Sequence, residues 1–131
     1  MNKLGLADVR SAKATKAAKA AADFGENKAK LLKDFEELAE NKGRLSDGAI
    51  LIAEFMLENA DRMAGACQKA AAGEIENPLE LLLFVLLEHT AVLTAYANRF
   101  EKEGNSKDAK AYGFQAAVRL RIAHAMLKKE L

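Results

Sequence analysis

Residues 79–93 read LELLLFVLLEHTAVL, in which seven consecutive apolar residues, Leu81 to Leu87, end at Glu88 and His89. A membrane span needs about 20 apolar residues. Seven, flanked by Glu80, Glu88 and His89, predict instead a helix inside a soluble bundle. On a helical wheel Leu82, Val85, Leu86, His89, Val92, Leu93, Tyr96, Ala97 and Phe100 share one side, which is the expected core face. Leu83, Phe84 and Leu87 then fall near Glu80, Glu88, Asn98 and Lys102. They predict a second apolar surface, covered by the N-terminal helix or by another chain. His89 is expected to turn inward to a hydrogen-bond partner.

Outward from this stretch, four breaks organise the chain: FGEN at 24–27, NKGR at 41–44, GEIENP at 73–78 and EGNS at 103–106. Gly, Asn and the single Pro78 are helix stop and start chemistry. They predict helices near 6–24, 27–42, 46–72, 77–103 and 106–130, with the first two joined if Gly25 only bends them. Asn77 reads as an N-cap before Pro78, and Ser46 and Ser106 as further caps. The composition is rich in Ala, Leu, Lys and Glu and leaves little for strands. The expectation is an all-α fold, a four- or five-helix bundle of mostly antiparallel neighbours in one domain over 1–131. Residues 1–25 could form a semi-independent basic helix.

Within 46–72, Ile50, Ala53, Leu57, Ala60, Ala64, Cys67 and Ala71 form a stripe broadened by Met56 and Met63, expected to face a neighbouring helix. The last helix has two stripes. Ala109, Tyr112, Ala116, Leu120, Ala123 and Leu127 form one, while Phe114, Val118, Ile122, Ala125 and Met126 form the other. Such a helix either lies between two neighbours or shows one side to another chain. Leu83, Phe84, Leu87, Phe114, Val118 and Ile122 are therefore the candidate protein interface.

The net charge is +1, but it is unevenly distributed. Residues 1–33 hold eight Lys and Arg against three Asp and Glu, whereas 34–61 hold two against eight. The basic residues Arg10, Lys13, Lys16 and Lys19 line an alanine-rich helix and are candidate phosphate contacts. Residues 104–124 resemble a helix-turn-helix of the phage repressor type, with Ala109 and Gly113 four apart and basic residues following. The resemblance implies DNA contacts from Arg119 and Arg121.

A second resemblance lies in the carboxylates. Glu36-Glu37-x-x-Glu40, followed after 17 residues by Glu58-x-x-Asp61, is similar to the EExxE and ExxD signature of the MazG-like all-α nucleotide pyrophosphohydrolases. It implies Mg²⁺ held by these groups for attack of water on a nucleoside triphosphate.

Elsewhere no spacing of His, Cys, Asp or Glu defines a catalytic, metal or cofactor site, and Cys67 reads as a small hydrophobe. The lone cysteine and an N-terminus without the apolar run of a secretory signal point to the reducing cytoplasm. The expected function is non-enzymatic: a small interaction protein that regulates, caps or inhibits a protein partner through apolar helix faces, with homo-oligomerisation expected and no membrane partner. A compact, motif-poor helical chain suits a phage or mobile-element accessory protein. Nucleic-acid binding and the pyrophosphohydrolase are the alternatives.

Overall fold

The computed structural model describes the backbone of residues 6–130 and the side chains of 15–129. Five helices follow in chain order: α1 (Leu6–Glu40), α2 (Leu45–Glu58), α3 (Ala60–Ala71), α4 (Pro78–Lys102) and α5 (Ser106–Glu130). No strand occurs among the described residues, so the fold is an all-α bundle. α4 and α5 form a long antiparallel hairpin, and α1 and α2 pack across one side of it.

The expected breaks hold with two exceptions. α1 runs unbroken through Gly25. The expected helix over 46–72 is two, divided at Asn59 (φ −115°, ψ 21°). The Asn59 amide side chain donates to the Phe55 carbonyl at 2.8 Å and accepts from Asn27 Nδ2 at 3.1 Å. An Asn side chain that takes an i−4 carbonyl competes with the backbone ladder and redirects the helix. Asn59→Ala removes both bonds and leaves Asn27 unpaired at this junction. It is expected to lower stability by about 1–2 kcal/mol, read by thermal denaturation.

The helix ends show local reasons. Asn77 Oδ1 accepts the Glu80 N–H at 3.2 Å with Pro78 at the first helical position. Before α5 the capping residue is Asn105 rather than Ser106, because its Oδ1 accepts the Asp108 N–H at 3.2 Å. At α2 the cap is Arg44 rather than Ser46, and its N–H donates to Asp47 Oδ2 at 3.3 Å. The turn before it requires Gly43, where a Cβ would lie 2.3 Å from the Leu38 side chain.

The core is built from Phe24, Leu31 and Phe35 of α1, Ile52 and Phe55 of α2, Leu83, Phe84 and Leu87 of α4, and Ala123 and Leu127 of α5. Phe24 sits at its centre, edge-on to Phe84 at 5.6 Å and tilted against Phe55 at 6.0 Å. Above Phe24 the Arg62 guanidinium of α3 stacks at 4.2 Å from the ring centroid and grips Glu80 of α4 with two nitrogens. This bidentate ion pair ties α3 to the start of α4.

The expected facing of α4 is overturned. Leu83, Phe84 and Leu87, expected to be covered by the N-terminal helix or by another chain, are 2%, 2% and 0% exposed, and α1 takes part in covering them, with Phe24 against Phe84. Leu82, Val85, Val92 and Tyr96, expected inside, face solvent, and His89 is exposed too. The reason is the threonines. Thr90 and Thr94 lie on the buried side with Leu83 and Leu87, and their hydroxyls donate to the carbonyls of Leu86 and Thr90 at 2.8 and 2.7 Å. A Thr satisfied by its own helix carries no polar group into the core, so the helix turns its two threonines inward. A helix apolar on nearly every side offers little resistance to that rotation.

The stripe expected to be buried in 46–72 is displaced likewise. Ile50, Leu57 and Cys67 are exposed, and Ile52, Phe55 and Asn59 are buried. In α5 the first expected stripe does reach the interior, with Ala116, Ala123 and Leu127 fully buried. By length and composition α4 also meets the criterion for a membrane-crossing helix. The expectation from the seven-residue run alone understated its apolar character.

Candidate functional site

Eleven large hydrophobic side chains are exposed among the described residues, and seven of them gather on one side of the α4–α5 hairpin: Leu82, Val85, Val92, Tyr96, Phe114, Val118 and Ile122. Their common side follows from what the other sides touch. α4 turns Phe84 to Phe24 of α1 and Glu80 to Arg62 of α3. α5 turns Leu120 towards Gly48 of α2 and His124 towards Glu36 of α1. At 100° per residue, the seven point away from these contacts. The seam between the helices is closed by Tyr112, whose ring stacks on Phe100 at 5.3 Å and lies 5.7 Å from Tyr96. The apolar surface therefore continues from one helix to the next.

Carboxylates are absent from the middle of this face. No carboxylate occurs between Glu88 and Glu101 on α4, or between Asp108 and Glu130 on α5. Arg119 enters the face from α5, and its Nη1 donates to the Gln115 carbonyl at 3.1 Å, which folds the guanidinium back on its own helix. His89 is the other ionisable side chain on the outward arc of α4.

Of the six candidate interface residues, Phe114, Val118 and Ile122 are exposed on this face, with Phe114 the most open at 71%. Leu83, Phe84 and Leu87 are corrected to core residues, unavailable to any partner of the folded chain. Leu82, Val85, Val92 and Tyr96 take their place. The threonine pair four residues apart is the signal in the sequence that could have identified them.

The basic candidates do not converge. Arg10 and Lys13 lie outside the described side chains, and Lys16 and Lys19 are exposed on α1. Nearby Ala17 and Ala20 border Arg62 and Glu80, whereas Arg121 borders Phe35 and Leu38. The 15 residues between Ala20 and Phe35 put roughly 22 Å of helix between the two groups. The helix-turn-helix reading of 104–124 is corrected, because α5 is one helix through Gly113 and has no turn there.

The carboxylates of the pyrophosphohydrolase signature are also apart. Glu58 lies beside Asn27, Lys30 and Leu31 of α1, while Glu36 reaches towards His124. No group of three or more His, Cys, Asp or Glu suited to a metal ion forms among the described residues.

Two of the concavities among the described residues lie where three helices meet. A groove of about 410 Å³ between α1, α3 and the start of α4 is crossed by ion pairs, Arg62–Glu80 and Lys69–Glu76 (2.9 Å). A smaller one of about 280 Å³ lies between α1, α2 and α5. Compared with known protein families, with curated proteins and with solved structures, the chain matches none.

Proposed function

We propose that this chain is a non-enzymatic interaction protein that works through the outward face of α4 and α5, and that a second copy of itself occupies that face. The gathering of seven of the eleven exposed large hydrophobics on one hairpin carries this reading. Monomeric proteins rarely leave so large a contiguous apolar patch in water.

The size of the face suits a copy of the same chain. A free aromatic side chain exposes roughly 200 Å² and an aliphatic one less, so these seven at about half exposure offer somewhat under about 700 Å². A standard interface takes about 800 Å² from each partner. A two-fold axis brings the same patch to itself, and two helical hairpins packed face to face form a four-helix layer pair. The middle of the face favours this closure, since no carboxylate has to be stripped of water there and the Arg119 guanidinium is already folded back on its own helix.

Light scattering across a micromolar concentration series tests the reading. The expected result is a molar mass that rises from one chain to two. A mass of one chain at every concentration overturns it. Partition of a one-chain species onto anionic lipid vesicles overturns it as well and assigns the face to a membrane surface.

A further inference from the structure

We infer that the cavity between α1, α2 and α5 is a binding site for a small amphiphilic anion, a carboxylate on a short apolar body. Leu120 and His124 of its lining turn towards α2 and α1, away from the outward face of α5, so the cavity is distinct from the self-association surface. Its volume is about 280 Å³, near the lower bound of ligand pockets. At about 30 Å³ per water-sized group, that is room for roughly nine or ten non-hydrogen atoms.

The walls divide by chemistry. Phe35, Leu38, Leu45 and Leu120 give an apolar interior, and Arg44, Arg121 and His124 are the ionisable groups of the lining. No carboxylate lines it. His124 Nε2 is buried without a hydrogen-bond partner, and the nearby Glu36 Oε1 is 4.0 Å away, too far for one. An anion entering here meets the Arg44 and Arg121 guanidinium groups, which are suited to grip a carboxylate, and would share the imidazole with Glu36.

Gly48 supplies a separate observation. It is a buried position inside α2, where glycine costs about 1 kcal/mol relative to alanine. A Cβ there would meet Leu38, Leu120 and Phe35 at 3.7–3.8 Å, which is ordinary contact. Packing therefore does not demand glycine. What its missing side chain preserves is the open floor of the cavity, bordered by the same three residues.

The test is a titration of the whole chain with octanoate, octanol and octylamine, followed by backbone amide NMR. Octanoate is expected to saturate with a Kd of about 0.1–1 mM, an ordinary efficiency for ten atoms. Its shifts should centre on Leu38, Gly48 and Leu120. Octanol and octylamine should bind at least tenfold more weakly. Arg121→Gln, an exposed substitution that leaves the core untouched, should weaken octanoate about tenfold. Gly48→Val should abolish binding by filling the floor, with circular dichroism confirming the helices. The inference is overturned if octanol binds as tightly as octanoate, if no saturation is reached at millimolar octanoate, or if the shifts map to Val85 and Val118.

Discussion

Phe84→Ala should cost the fold about 3–5 kcal/mol, the usual range for removing a buried aromatic ring. Val85→Ala, one residue further on, should cost less than about 0.5 kcal/mol, as surface substitutions do. Phe84 is enclosed against Phe24, which itself holds Phe55, so its loss opens a cavity where α1, α2 and α4 meet. Those three helices come from distant parts of the chain. Val85 looks outward, and its truncation removes surface from water rather than from a core. Urea denaturation of both variants measures the contrast. Equal losses, or a larger loss for Val85, would return α4 to the facing expected from its hydrophobic pattern.

The second large effect is on association. Val92→Glu combined with Val118→Glu should weaken pairing of two copies at least about 100-fold, equivalent to roughly 2.7 kcal/mol at 1.4 kcal/mol per decade. Each substitution puts a carboxylate in the centre of a face that has none, one on α4 and one on α5. Closure of the face would have to desolvate both. Because both positions are exposed in the single chain, the variant should keep its helical circular dichroism and a midpoint near that of the parent. Sedimentation equilibrium gives the association constant. A folded variant that pairs as tightly as the parent would place the contact elsewhere, for instance on the exposed Ile50 and Leu57 of α2.

Most of the helix ends were legible because they are written locally. Asn77 with Pro78, and the glycines at 73 and 104 with φ of +84° and +78°, each stop or start a helix by backbone chemistry alone. The break at Asn59 was not legible. Whether an asparagine caps, bends or merely decorates a helix depends on whether a distant group, here Asn27, holds its side chain.

Facing was legible in α5 and not in α4, for a physical reason. In α5 the buried positions Ala116, Ala123 and Leu127 follow the helical repeat, with a distinct outward stripe of Phe114, Val118 and Ile122. In α4 leucine and valine occur on every side, so the choice rested on which side carried the polar letters. Thr90 and Thr94 share the buried side, and their hydroxyls vanish into the carbonyls one turn back. Half of the outward face was therefore visible in the sequence, and the α4 half became visible only once the threonines were placed. The cavity at Gly48 was beyond reach of any local pattern, because Phe35, Gly48 and Leu120 meet only in the folded chain.

The side of α4 carrying Val85 and Val92 faces outward in one chain and, in the proposed pair, is covered where two chains meet. Covalent footprinting with a small carbene reagent, at dilute and at concentrated protein, measures both parts at once. Val85, Val92, Val118 and Ile122 should be labelled when dilute and protected when concentrated, while Phe84 and Leu87 stay unlabelled throughout. Labelling of Phe84 and Leu87 in the folded chain, or labelling of the outward four that does not change with concentration, would contradict it.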